Sequence, residues 1–332
     1  MDKIVEIIIS KYCEDQKDRW DEFVLKESMN GTFLQTRHFI NYHEKGKFED
    51  HSLIVAKGNT YVAVILGCVV EEDNKKIFFS HKGTSFGGIV VNKKYYSVTH
   101  MNQIFDLFEN YLQEHGFNGC VMKETPDIFS KEPTQLTDYF YYYKGYQQYD
   151  ELNFYLDLAH YRDDILNGFT SGKRRDCRYS LNNNLMFREL LSDDDINDFH
   201  RVLLLNLNKL GVNCVHTANE LIDLKNRFNQ SILFFGVYLE EKLIAGSMIF
   251  IFDNGVYHTQ YLASDEEYLK YFPMEFLIYN LVNLALTNNS RLLTFGICTE
   301  DRGRYLNFGL SRFKEGFGAQ YTINRMYQKL FD

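Results

Sequence analysis

Proline is scarce in this chain, with three in 332 residues, and tryptophan is scarcer, with one. So little proline beside 24 tyrosines and 28 phenylalanines excludes disorder and points to ordered elements with amphipathic, aromatic-lined clefts. The six cysteines, at 13, 68, 120, 177, 214 and 298, never fall at C-x-x-C spacing. Zinc-ribbon and thioredoxin-type chemistry are therefore not signalled, no metal is expected, and the thiols read as reduced core residues of a cytoplasmic protein. No run approaches the ~18 apolar residues of a membrane span. The opening MDKIVEIIIS is broken by Glu6 and reads as a strand, not a signal peptide. Positive charge is also short: 36 Lys and Arg face 45 Asp and Glu, for a net charge of −9 and a pI near 5.6. No DNA partner is expected from that balance, although a local basic cluster can still hold an anion.

What is present is 45% hydrophobic residues and enough length for two domains at roughly 100–200 residues each. Residues 52–81 and 232–263 each read as an apolar run, a polar turn, a longer apolar run, a second turn and an aromatic-rich run. That is the pattern of a three-stranded antiparallel meander. Gly58-Asn59 and Asp253-Asn254-Gly255 supply turn residues that tolerate positive φ. A helix follows each meander, from Met101 and from Met274, with apolar residues at i, i+3, i+4 and i+7. Short strands follow at 118–124 and 291–297. Helices are expected ahead of the meanders at 14–28 and 35–45, and at 193–210 and 218–229. The chain thus reads as α/β (α+β), with two similar halves, 1–150 and 151–332, each a mixed, largely antiparallel sheet flanked by helices.

That element order is the one found in the GNAT superfamily of N-acetyltransferases, and four segments carry a narrower likeness. They are FLQTRHFINY (33–42), SHKGTSFGGIVV (80–91), SGKRRDCRYSLNNNLMFREL (171–190) and GLSRFKEGFGAQ (309–320). In that order along the chain they resemble the FemAB-like acyltransferases, whose members carry two tandem GNAT-like domains. The resemblance implies transfer of an acyl group, often aminoacyl from tRNA, to an amine of a cell-envelope precursor. It maps the family's Phe-Lys pair onto Phe313 and Lys314, and makes Arg37 a substrate-binding candidate. The chain departs from the family pattern in lacking a long helical coiled-coil arm. It also carries His43 where relatives often have a lysine for substrate phosphate.

Acyl transfer needs a neutral amine, a donor carbonyl beside it, and stabilisation of the tetrahedral oxyanion. A partly buried Lys314 could stabilise the oxyanion, bind an acceptor carboxylate or phosphate, or act as a base; at the C-terminus of a helix it could equally be a surface lysine. Gly316 is expected to end that helix and Gly318 to open a final strand over 320–329, because Gly-Phe-Gly lacks phosphate-loop spacing. Arg174, Arg175 and Arg178 can pair on one helix to hold a phosphate, or form a solvated basic face. Arg302 and Arg304 fall in a loop after the strand 291–297. Tyr257 and Tyr261 are expected on one face of a strand, with His258 on the other. The acyl donor is acetyl-CoA or aminoacyl-tRNA, with no permanently bound cofactor. Residues 264–276, where acetyl-CoA users carry a glycine-rich pyrophosphate loop, have no glycine but do have Asp265, Glu266 and Glu267. The reading is an N-acyltransferase acting on a small-molecule or nucleotide-linked amine. Alternatives are a catalytically silent GNAT-like binding protein and an acetyl-CoA enzyme with an atypical donor loop.

Overall fold

The computed structural model describes residues 6–331 apart from 210 and 212. The chain divides into two compact units, Met1–Glu151 with Ile323–Asp332, and Leu152–Thr322. Of the opening run expected as strand, residues 1–5 lie outside the described residues, as does residue 210 of the helix expected over 193–210.

In the first unit, β1 (Ile7–Lys11) leads into a helical stretch: a 3-10 turn, α1 (Lys17–Glu22) and a π turn to Glu27. This stretch buries Trp20, Phe23 and Val24. The second helix, α2 (Arg37–Ile40), is much shorter than the expected 35–45 and is capped by Thr36, whose hydroxyl accepts from Phe39 N–H. Then come β2 (Glu49–Asp50), β3 (Leu53–Lys57), β4 (Thr60–Ile65), β5 (Cys68–Glu72), β6 (Lys75–Ser80) and β7 (Ile89–Val91). The meander expected over 52–81 as three strands is therefore four. The break falls at Leu66-Gly67, where a Cβ on Gly67 would lie 2.0 Å from the Phe78 ring, and Gly67 N–H donates to Ser52 Oγ instead of continuing a ladder. The two halves of the broken meander join different sheets: β3 and β4 lie between β1 and β7, while β5 and β6 lie between β2 and β8 (Gly119–Lys123). The amphipathic α3 (Val98–Glu114) turns Met101, Ile104, Phe105, Phe108 and Leu112 into the core and delivers β8 parallel to β6. A further helix not foreseen in the sequence, α4 (Gln135–Tyr143), follows. Strand β9 (Gln147–Asp157) then carries the chain into the second unit.

The second unit holds α5 (Ser171–Leu181), β10 (Leu185–Glu189), α6 (Asp193–Lys209), α7 (Ala218–Arg227), β11 (Ile232–Leu239), β12 (Lys242–Phe252) and β13 (Val256–Ser264). It continues with α8 (Pro273–Thr287), β14 (Leu292–Ile297), the small strands β15 (Thr299–Glu300) and β16 (Tyr305–Leu306), and α9 (Phe308–Glu315). Here the meander β11–β12–β13 is unbroken, and its order runs β10-β11-β12-β13-β14-β9. The mostly apolar α8 follows Pro273, which suits a first helical turn, and returns β14 parallel to β13. Each unit thus has a helix crossing over to a parallel strand, α3 before β8 and α8 before β14, within otherwise antiparallel pairings. The last strand, β17 (Gln320–Leu330), starts in the second unit and pairs with β8 in the first, so the final residues of the chain complete the first unit's sheet.

Two kinds of buried ionisable group set opposite pH dependences. Burial depresses the imidazoles of His51 and His81 in the first unit, and of His258 in the second, to about 4. Burial raises the Glu124 carboxyl to about 8; its oxygens accept from Ile89 N–H at 3.2 and 3.3 Å and from the Tyr141 hydroxyl. Below the ordinary histidine value of 6.5 the unfolded chain takes up protons that these folded imidazoles refuse, so stability falls as pH drops toward 4. Between 4.5 and about 8 the folded Glu124 keeps a proton that the unfolded chain has released, so this contribution falls as pH rises across that range and levels off above it. Urea midpoints measured across pH should therefore peak between these limits. In Glu124→Gln the decline above pH 6.5 should flatten and the rise between 4.5 and 6.5 should steepen; a limb above pH 6.5 identical to wild type would contradict this assignment.

Candidate functional site

In the second unit the parallel ladder between β13 and β14 runs from Val256↔Leu292 to His258↔Thr294. Past that point both strands bulge. On β13 the register against β12 slips between Ile249↔Thr259 and Met248↔Tyr261, so one extra residue enters β13. On β14 the register against β9 slips between Thr294 and Gly296, and Gly296 takes φ +73°, a conformation that favours glycine. The strands fork where His258, Thr259, Thr294 and Gly296 sit together; the Thr259 hydroxyl donates to Thr294 O at 3.2 Å.

The fork holds the lysine singled out in the sequence. Lys314 lies in the last turn of α9 and is 3% exposed, so it is not a surface lysine. Successive carbonyls of a regular strand point to opposite sides. The bulge turns two of them together, and the Lys314 ammonium donates to Gly296 O and Ile297 O, each at 2.9 Å. Its Nζ also lies 5.5 Å from the centre of the Phe154 ring. Burial lowers its pKa, and the adjacent Cys298 thiol partly offsets that. Burial, reinforced by the Lys314 charge, keeps His258 at about 4, so its imidazole is neutral at neutral pH.

Around this lysine the C-terminal segment meets the basic helix. Phe313 packs edge-on against Phe317 at 5.2 Å, and the Lys173 ammonium sits 4.6 Å from the centre of the Phe313 ring and pairs with Glu275. The Thr170 N–H, just before α5, donates to Gly316 O at 2.9 Å. Gly316 caps α9 and Gly318, at φ +84°, precedes β17, as the glycine spacing predicts. In the first unit the other two segments meet likewise. Gln35, fully buried, donates to Gly87 O at 2.8 Å and to Thr125 Oγ1 at 2.6 Å while its own side-chain oxygen accepts from Thr32 N–H. Gly88 stands at φ +68°, where a Cβ would lie 2.5 Å from the Glu124 carboxyl group.

No family model matches the chain, and no curated protein is found similar to it. Solved structures are similar at low identity over nearly the whole length. FemX aligns with TM-score 0.72 at 12% identity, covering 97% of each chain. The C-terminal domain of a putative lysylphosphatidylglycerol synthetase from Agrobacterium fabrum gives 0.63 at 11%, covering 95% of this chain and 91% of that one. A tandem GNAT protein from the clavulanic acid biosynthesis pathway gives 0.57 at 9%, covering 98% of both. The chain has the FemAB-like tandem GNAT fold.

Within this tandem GNAT fold the other sequence candidates are placed variously. Arg174 is spent on main-chain carbonyls, donating to Leu166 O at 2.9 Å and Phe169 O at 3.1 Å, because its side chain folds back over the turn before α5. Arg175 is exposed and pairs with Asp176, its neighbour in sequence; Arg178 is exposed on the same helix. Arg302 and Arg304 are exposed in the turn between β15 and β16. Arg37 belongs to the first unit, where its guanidinium pairs with Asp50 and donates to Ser52 Oγ at 2.9 Å. Tyr257 and Tyr261 do not share a face: the extra residue in β13 reverses the alternation and sets Tyr261 on the side of His258. Tyr257 is core, and the Tyr261 hydroxyl meets His216 Nδ1 at 2.6 Å.

The segment 264–271 borders a cavity of about 450 Å³. Its cations are already matched by acids: Lys209 lies 2.7 Å from Glu266, and Lys242 lies 3.7 Å from Asp265 and 3.9 Å from Glu267. The first turn of α8 carries Pro273 and the buried Glu275, so a carboxylate already complements that helix terminus. Sequence reasoning missed Cys298, the neutral state of His258 and the Lys173–Glu275 pair. The one local sign was Gly296 inside an apolar strand, which marks a bulge. Among the described residues, no group of three or more His, Cys, Asp or Glu side chains is placed to hold a metal ion.

Lys314→Met would leave two half-buried carbonyls without this donor, at up to about 1–3 kcal/mol each. Gly296→Ala would force an alanine to positive φ with its Cβ 3.3 Å from the His258 ring, costing about 1–3 kcal/mol. Thermal unfolding should show both losses, with Lys314→Arg falling between Lys314→Met and wild type.

Proposed function

We propose that this protein is an N-acyltransferase that moves an acyl or aminoacyl group onto an amine of a cell-envelope or polysaccharide precursor, nucleotide-linked precursors included. The observation that supports it is the buried ammonium of Lys314 at the bulged end of β14, beside the point where two parallel strands part. Parted strands present main-chain N–H and C=O groups that a donor's amide or ester can pair with. In the reaction the neutral amine attacks the acyl carbonyl carbon, the C–N bond forms, and the bond to the donor's oxygen or sulfur breaks. The amine's proton leaves to the departing group. A fixed positive charge in a poorly hydrated site favours the oxyanion of the tetrahedral intermediate. Lys314 would supply that charge, Phe313 would help hold its helix in place, and the neutral His258 would add no competing charge.

We further propose an aminoacyl ester, carried by tRNA, in preference to acetyl-CoA. The matched ion pairs of 264–271 and the carboxylate in the first turn of α8 offer no unopposed site for a pyrophosphate. One structural neighbour is, moreover, named for an aminoacylated lipid. The exposed Arg175, Arg178, Arg302 and Arg304 remain candidates for anionic parts of donor or acceptor, and the reaction is placed in the cytoplasm. A second reading, a binding protein without catalysis, is favoured by one detail: the Lys314 ammonium is already bonded to main chain.

Incubation with labelled aminoacyl-tRNA or acetyl-CoA and a pool of amino-sugar and peptide amines separates these readings. Product is expected from the tRNA donor alone. Lys314→Met should lower kcat by about 10²–10³-fold with little change in KM, and Lys314→Arg should keep more activity. Full kcat in a folded Lys314→Met protein would remove the lysine from the mechanism. No product from either donor would leave the binding reading.

A further inference from the structure

Helix α4 (Gln135–Tyr143) has two contrasting faces. Thr137, Phe140 and Tyr141 are buried, whereas Tyr139, Tyr142 and Tyr143 are 54%, 78% and 61% exposed. Spacings of three and four residues put these three tyrosines on one side of the helix. Large rings grouped in this way on a surface mark a place where something docks.

The rings are held from beneath. Phe140 meets Tyr139 edge-on at 5.8 Å and Tyr143 edge-on at 6.0 Å. One buried ring therefore orients two exposed ones, and Tyr139 and Tyr143 lie near-parallel, 18° apart, with centres separated by 6.1 Å. Phe140 is itself stacked with Phe105, and Tyr141 is stacked on Tyr327 at 4.1 Å, which fixes the helix under the exposed face. Ring faces ordered before a ligand arrives lose little entropy when it binds.

The charges around α4 narrow the partner. Lys144 follows the helix, Arg325 holds its Asp138, and Lys329 donates to the Lys144 carbonyl. Each already has a carboxylate: Asp106 at 2.6 Å, Asp138 at 2.9 Å and Glu109 at 2.8 Å respectively. Single-stranded nucleic acid also stacks on aromatic rings, but it needs a basic groove, and these cations are matched. An anionic bilayer asks for available cations and for apolar side chains to insert. Leu136, the one aliphatic residue of α4, packs against the core instead. A neutral glycan asks for neither. Its positively polarised C–H faces lie on ring faces, and its hydroxyls can pair with phenol hydroxyls, which both donate and accept.

We propose that the face formed by Tyr139, Tyr142 and Tyr143 binds an uncharged glycan, with sugar rings lying on tyrosine rings. This face belongs to the first unit, includes none of the residues assigned to acyl transfer, and is read out by binding alone. It can therefore fail without the acyl-transfer reading, and the reverse.

The test is isothermal titration calorimetry of the full chain with cellohexaose, with chitotetraose and with hexauridylate, joined by cosedimentation with phosphatidylglycerol vesicles. Binding is expected with cellohexaose or chitotetraose, and the one that binds names the sugar class. Tyr142→Ala should weaken it about tenfold, and Tyr142→Phe, which keeps the ring, should weaken it less. At so exposed a position neither change should move thermal unfolding. Three results would each overturn the proposal. One is no response to either glycan at concentrations sensing a Kd of about 10 mM. Another is glycan binding that Tyr142→Ala leaves unchanged. The third is binding of hexauridylate, of vesicles or of a second copy of the chain that Tyr142→Ala weakens.

Discussion

An ammonium group stripped of water has to be compensated where it sits, and for Lys314 the compensation is main chain and a thiol instead of a carboxylate. Two consecutive carbonyls can converge on one nitrogen only if the strand is bulged, and β14 can bulge there because Gly296 tolerates φ +73°. The same bulge draws β14 away from β13, and α9 must end where its last turn reaches those carbonyls. Strand fork, helix position and the neutral state of His258 are therefore one arrangement. A carboxylate partner in place of the carbonyls would have cancelled the field that an oxyanion could use.

The four segments that mark the likeness to FemAB-like proteins act in pairs, each pair inside one unit. Gln35 clamps the Gly87-Gly88 turn to Thr125, and Gly88 makes room for the Glu124 carboxyl beneath it. Thr170 and Lys173 hold the Gly316 carbonyl and the Phe313 ring. Spacing between such segments in sequence is set by the folded distance each clamp must close.

Much of the fold was legible because alternation of apolar residues and helical periodicity are local properties. The meander over 232–263, the helices from Met101 and Met274 and the strands that follow them stand as read. What escaped depends on distant partners. The break at Gly67 is imposed by the Phe78 ring, eleven positions on, and the reversal at Tyr261 by pairing with β12. The return of β17 to the first unit depends on β8, some two hundred residues earlier. The site was half legible for the same reason. Lys314 drew attention, but its acceptors are main-chain atoms, which no side-chain pattern announces. Nor does a sequence show that main-chain carbonyls hold Arg174 and that an aspartate holds Arg37.

The donor question turns on how a helix terminus is occupied. A pyrophosphate bound at the start of a helix exploits unpaired N–H groups and the dipole. In α8 the first position is proline, which has no N–H, and the first turn carries Glu275, held by Lys173. The same Lys173 contacts Phe313 and Phe317, so the pair that complements this helix also anchors the segment bearing Lys314. A pyrophosphate at this terminus would have to displace Glu275, which would free Lys173 and loosen its contacts with the Phe313 and Phe317 rings. The carboxylate at this helix terminus and the packing of the segment that bears Lys314 are thus coupled through one ion pair. An aminoacyl ester, which brings no pyrophosphate to this helix terminus, is compatible with that coupling.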